Sequence, residues 1–455
     1  MNAGRMWLVA VVWLAVLIAA SSSILSALGQ GLPVAAHTQV TDLTPKPGFF
    51  TEPSVAINPR NPQQVVVAYQ DNAHIAYSLD AGKHWQAAPG IAPPDYRVSG
   101  DVSVTYDHEG HAIICYMAFD KLGTFNYWAH NSSRNGLFVR RSLDGGKTWE
   151  SEDIAILKHP TEPGAPWEDK PYIVADDSQG PYAGNLYVGW TRWTLTDSEI
   201  LLSRSTDDGK TWSPPMEIDA HRGLPRDDNG AVEGFSGAVG PDGTLYAVWA
   251  DGDHIVLTSS RDGGRAFEPP RNIITVAPIM FHIQGTSRAN GFPVVALDPR
   301  TGRLYVAWSD YRNGDVDVFC STSSDGGHTW ADAVRVNSDP LHDGADQFFH
   351  WLAVDPATGD VDLIFYDRRG DPGNKKATVT LARSADGGQS FVNYAWTEKA
   401  FDPSEVFLGD YTGIAALGGR VYGAWTEKPP NPKSRDTILR VGTADFEAAR
   451  PAGAK

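Results

Sequence analysis

The chain predicts an all-β protein, a β-propeller of four-stranded blades, on three observations. One short turn phrase, Ser-x-Asp-x-Gly followed by a strand-opening aromatic, is written six times. A second, apolar phrase is written seven times between those turns. Both share one period: the starting serines Ser78, Ser142, Ser205, Ser260, Ser323 and Ser384 are 64, 63, 55, 63 and 61 residues apart. A fixed period means one structural unit copied and stacked.

The turn phrase reads SLDAGKHW at Ser78–Trp85 and SLDGGKTW at Ser142–Trp149, with close copies ending at Trp212, Phe267, Trp330 and Phe391. Its aspartate can accept from the amides just ahead, and its glycine supplies the positive φ of a tight turn. The aromatic then opens the next strand with a large apolar surface. Each copy therefore joins two antiparallel strands. Its aspartate is occupied by its own turn, which makes it a folding device rather than a catalyst.

The apolar phrase ends in a small residue, an aromatic and a polar residue. It stands at Val65–Asp71, Ala112–Asp120, Leu186–Arg192, Leu245–Asp251, Leu304–Asp310, Val361–Asp367 and Val421–Glu427. Most copies follow a glycine turn such as Asp242-Gly243 or Thr301-Gly302, and each turn follows another apolar stretch such as Pro53–Asn58. β-branched and aromatic runs separated by frequent turn signals read as strands. Each unit is then four strands, A to D, with the aspartate turn between C and D. Four-stranded units arranged radially are propeller blades. Seven units are counted. The last, Gly409–Phe446, has no aspartate turn, and His37–Leu43 is expected to supply its outer strand and close the ring. Six blades remain open if the first or last unit is an appendage.

Composition sets outer bounds. One propeller domain over 37–446 absorbs most of the 455 residues without a linker, leaving a tail at 447–455. The net charge of −17 argues against nucleic acid or an anionic membrane surface as partner. Residues 1–29 carry Arg5, the apolar run Met6–Ala20 and then small residues, the pattern of a secretory signal or an uncleaved anchor. A secreted or periplasmic monomer is expected, touching a membrane only through that segment. Cys115 and Cys320, three blades apart, are expected to be buried free thiols. No zinc-type ligand cluster is written, and neither metal nor cofactor is expected.

Loops leading into strand A and loops leaving strand B crowd one mouth of a propeller channel. The first set carries Glu52, Asp101, Asp169, Lys170, Glu233, Arg288, Asp346 and Asp410. The second carries Asp71, Asp120, Arg192, Asp251, Asp310, Asp367, Arg368, Arg369 and Glu427. Carboxylates interleaved with arginines suit a sugar, and paired carboxylates can cleave a glycosidic bond. Trp128, Trp167, Trp193, Phe348, Phe349 and Trp351 lie nearby and could stack on sugar faces.

The six turn phrases resemble the Asp-box repeat, and residues 50–445 resemble the sialidase superfamily. That resemblance implies an arginine triad for a substrate carboxylate, a tyrosine nucleophile polarised by a glutamate, and an aspartate acid/base. Tyr411, followed by an apolar run and a strand ending in Glu427, resembles the nucleophile segment. Glu233 resembles the polarising glutamate and Arg312 a triad arginine. The sequence departs from the family at Gly100-Asp101-Val102, where an Arg-Ile-Pro motif would stand, at Asp251, where a second arginine would, and near Asn135-Gly136, where the acid/base aspartate would. The expectation is a sialidase-like glycoside hydrolase acting on an extracellular glycan other than a sialoside. Its expected catalytic groups are Tyr411, Glu233, Asp410 and Asp367. Its expected substrate-binding groups are Arg312, Arg368, Arg192, Asp310 and Asp101. Glu233, Arg312, Asp367, Arg368, Asp410 and Tyr411 should converge on one mouth. The alternative is a non-catalytic propeller that binds glycan or protein there.

Overall fold

The computed structural model describes residues 31–447, apart from 71, 92, 94, 125–128, 131, 132, 398 and 431–434. The segment 1–29, Asp71, Trp128 and nearly all of the tail lie outside the described residues. Thirty strands and no helix are present among those described. They form seven four-stranded antiparallel sheets and one two-stranded ribbon.

The blades follow chain order. Their innermost strands are Thr51–Ile57, Val98–Tyr106, Trp167–Ala175, Val232–Val239, Val294–Asp298, Gln347–Val354 and Gly413–Leu417. The second strand of each blade is the recurring apolar phrase, and it is buried because it is sandwiched between neighbouring blades. Trp190, Trp249, Trp308 and Trp425 of these strands are fully buried. Such side chains each stabilise by roughly 1.5–3 kcal/mol or more on leaving water.

Seven blades are present, and the ring closes as the sequence predicts. Gln39–Asp42 pairs with the third strand of the last blade, Ile438–Asp445, in the register Gln39 to Thr443 and Asp42 to Arg440. Innermost strands are also tied to each other by serine. The Ser54 hydroxyl accepts from the Val104 amide at 3.0 Å, Ser103 from Ile173 at 3.1 Å, and Ser236 from Val295 at 3.2 Å. Cys115 and Cys320 are free and buried.

The six aspartate turns share one bonding pattern at the end of the blades away from the strand-A starts. In the second, Ser142 donates to Asp144 at 2.9 Å, and Asp144 accepts from the Thr148 amide at 2.8 Å and its hydroxyl at 2.6 Å. Gly146 holds φ 95°, and a side chain there would collide with Val66 of the preceding blade. The turn thus staples one blade to the next.

Candidate active site at the channel mouth

Each innermost strand begins nearest the axis, and five of them begin with a bulge. The pairing slips between Thr51 and Ser54, Gly100 and Ser103, Asp169 and Tyr172, Glu233 and Ser236, and Phe348 and Trp351. The residue in the slip has positive φ: Glu52 53°, Asp101 43°, Lys170 50°, Gly234 78° and Phe349 51°. For a residue with a Cβ, that conformation is strained by about 1–3 kcal/mol and persists only where the surroundings fix it. The bulge re-aims side chains that would otherwise lie flat along the channel wall.

The re-aimed groups meet at the mouth. Asp101 lies between Glu52 and Asp169, within hydrogen-bonding reach of both. Arg288 closes a fork on Asp410, with its Nε 2.7 Å from Oδ1, and reaches Asp227 Oδ2 at 2.7 Å. Lys170 Nζ stands 3.1 Å from Asp410 Oδ2. The Trp193 indole donates to Asp169 at 2.9 Å. Glu52 Oε1 accepts from the Asp410 amide at 3.0 Å, which ties the last blade to the first. Gly409, at φ 90°, permits that contact: an added Cβ would stand 3.0 Å from the Glu52 amide nitrogen.

Six carboxyls and two cations share this buried cluster, so protons must make up part of the balance. Burial, reinforced by Asp410, pushes Glu52 up to about 7. Burial, with Glu52 and Asp169 beside it, holds Asp101 well above the usual carboxylate range. Burial and Asp227 do the same to Glu233. Burial also opposes ionisation of Asp410, yet Arg288 and Lys170 prevail and hold it below its ordinary value. Lys170 stays charged because Asp410 and Asp169 outweigh its burial. The cluster therefore contains neutral carboxylic acids next to ionised carboxylates, the arrangement acid/base chemistry needs.

Above it opens a cavity of about 530 Å³. Its polar lining includes Glu52, Asp101, Asp169, Lys170 and Arg288, and its walls are Phe49, Val98, Met117, Phe119, Leu122, Trp167 and Phe407. Below the cluster a second, narrower space of about 50 Å³ runs into the channel, lined by Tyr411, Trp351, Phe349 and His350.

Of the nine sequence-predicted site residues, the structure brings four together: Asp101, Glu233, Asp410 and Tyr411. Tyr411 tilts against Trp351 with ring centroids 5.7 Å apart. Burial and the nearby Asp101 and Glu52 raise its phenol well above the ordinary value, so it holds its proton firmly. Glu233 faces Asp227, and no hydrogen bond joins it to Tyr411 among the described residues.

The other five do not reach the cavity, which corrects the expected convergence. Asp310 and Arg312 clamp each other, with Arg312 Nε 2.9 Å from Asp310 Oδ1 and the guanidinium 4.7 Å from the Phe319 ring centre. Asp367 is buried against Arg369 at 2.6 Å and Thr380 at 2.7 Å. Arg368 is buried over Phe348 and donates to the carbonyls of Asn374 and Gln284 at 2.8 and 2.9 Å. Arg192 pairs with Glu168 at 2.7 Å. These groups leave strand B, one strand farther from the axis; Asp310, Arg312, Asp367 and Arg192 are each paired there with an opposite charge, whereas Arg368 donates to carbonyls and keeps an unpartnered Nε. Of the aromatic candidates, Trp167, Trp193 and Phe348 are all buried, and Trp167 backs the cavity wall. The sequence reading missed Asp227 and the wall residues Phe49, Leu122 and Phe407, which occupy no repeated position.

No family model matches this chain, and no curated protein does. Solved structures do. An α-L-arabinofuranosidase of Fusarium graminearum superposes with a TM-score of 0.50 at 14% identity, covering 79% of this chain and 97% of that one. An ulvan lyase of the polysaccharide lyases gives a TM-score of 0.50 at 14% identity, covering 88% and 95%. A sialidase from a Hadza microbial source gives 0.49 at 16% identity, covering 85% and 74%. At these identities the likeness is one of fold.

Proposed function

We propose that this protein is a glycoside hydrolase acting on neutral glycans at the mouth cavity. One observation carries the reading: the linked carboxyls Glu52, Asp101 and Asp169 line a 530 Å³ cavity, with the first two biased toward the neutral form. In the proposed reaction a proton shared by Glu52 and Asp101 passes to the glycosidic oxygen as the bond to the anomeric carbon breaks. A second carboxyl of the cluster takes a proton from the water that adds to that carbon. Tyr411 stays protonated beneath them. The arabinofuranosidase and ulvan lyase resemblances fit a glycan ligand but fix no sugar.

Sialosides fit poorly. Recognition of a carboxylate calls for a free bidentate arginine. Arg288, which lines the cavity, is already forked onto Asp410 and joined to Asp227. The same proposal places the chain outside the cytoplasm, on the signal-like residues 1–29. No helix among the described residues is long and apolar enough to cross a membrane.

The test is a panel of 4-nitrophenyl glycosides, with a sialoside included, assayed from pH 5 to 8. Cleavage of a neutral glycoside is expected, and Asp101→Asn should lower its kcat/KM by about 10²–10⁴ while melting stays intact. Folded protein that cleaves no glycoside would overturn the reading, as would sialoside cleavage that depends on Tyr411.

A further inference from the structure

The mouth cavity is polar on one side and apolar on the other, and the apolar side reaches the lip. Phe49 stacks on Phe407 with centroids 6.1 Å apart and planes 14° apart, yet stays 50% exposed. Leu122, from the loop after the second strand of blade 2, is 53% exposed. Phe119 and Trp167 meet edge to face at 4.9 Å deeper in the same wall. Large apolar side chains left wet at the rim of a pocket mark a contact surface. Nothing in the ring closure or the charge cluster requires Phe49 or Leu122 to be apolar.

We propose that this wall is an aglycone subsite: the glycoside offers its sugar to the Asp101 side and an apolar aglycone, aromatic or alkyl, to Phe49, Phe407 and Leu122. The inference rests on the hydrolase reading for the placement of the sugar. Two features point to an apolar aglycone rather than further sugar units. Phe407 carries the Arg288 guanidinium against it, 5.4 Å from the ring centre, so the ring is fixed next to the charged floor. Phe49, Leu122, Met117 and Val98 offer no hydrogen-bonding group to a second sugar ring; outside the charged floor, the polar side chains of the lining are Gln70, Ser99 and Ser287. Pockets of this volume enclose most of a ligand the size of an aryl glycoside.

The experiment uses the full chain and, for the neutral sugar cleaved in the panel, its 4-nitrophenyl and methyl glycosides. The ratio of kcat/KM for the aryl over the methyl compound should fall about tenfold in Phe49→Ala and in Leu122→Ala, mainly through the aryl KM. Both residues are half exposed, so folding should survive. Equal losses on both substrates, or none, would overturn the subsite while leaving the hydrolase reading standing. If no glycoside is cleaved, calorimetric binding of octyl glucoside decides the subsite alone. Binding weakened about tenfold in either variant supports it, and no binding, or equal binding to the variants, overturns it.

Discussion

The two ends of the propeller use the same residue type in opposite ways. At the turn end, Asp80, Asp144, Asp207, Asp262, Asp325 and Asp386 each accept from the amide four residues on in their own loop. At the mouth, Glu52, Asp227 and Glu233 are buried, and at least one oxygen of each has no donor. The first arrangement is local, satisfied and repeated six times. The second is assembled from blades 1, 2, 3, 4 and 7 and leaves polar atoms unsatisfied. Buried carboxyls gathered from five blades at one end mark where the fold places its chemistry.

The sharpest way to break the comparison is to remove the cation that holds the mouth together. Arg288→Met would strand Asp410 and Asp227 in a buried site with Lys170 as the remaining neighbouring cation. Deleting one partner of a buried ion pair typically costs about 3–5 kcal/mol. Denaturant unfolding should show a loss of that size, and Asp227→Asn added to Arg288→Met should recover part of it. A loss below about 1 kcal/mol would mean the mouth is as loosely coupled as a surface.

The mouth should also respond to pH in the opposite sense from an ordinary salt-bridged carboxylate. Glu52 sits at about 7 in the folded protein, against an ordinary value of 4.5. Between those values the folded state binds more protons than the unfolded chain, so this group's contribution declines as pH rises. It is fully present below about 4.5 and lost as pH passes 7, a swing of up to about 3 kcal/mol. Glu52→Gln keeps an oxygen for the Asp410 amide and removes the ionisation. Relative to wild type, the variant should gain stability from pH 5 to about pH 7 and level off above it in thermal melts. A constant difference across that range would contradict the assignment.

The contrast between the two ends also explains what could be read from the sequence. The aspartate turns, the seven buried strands and the closing strand Gln39–Asp42 were legible because their determinants are neighbours in the chain. Asp101, Glu233 and Asp410 were legible at the mouth because strand A starts nearest the axis. The strand-B candidates misled for a local reason: in Asp310-Tyr311-Arg312 and Asp367-Arg368-Arg369, an arginine two residues on closes onto the aspartate. That spacing was available as a sign of self-pairing. Asp227, in a connection between blades, and Phe407, three residues before Asp410, occupy no repeated position. Their place in the site follows from the ring's geometry alone.

The smallest expected effect tests the other end. Asp144→Ala removes the acceptor of the Thr148 amide and hydroxyl and the partner of Ser142, all within one exposed loop. Water can replace some of those bonds, so the loss should be near that of a deleted helix cap, about 1–2 kcal/mol. The turn also fixes Gly146 against Val66 of the preceding blade, so part of the loss should appear as weaker blade-to-blade packing. The mouth lies at the opposite end of the same strands, and activity at a temperature well below melting should be unchanged. Asp144→Ala that loses activity while melting normally would join the two ends and dissolve the distinction drawn between them. A loss of melting temperature alone would confine these aspartates to folding.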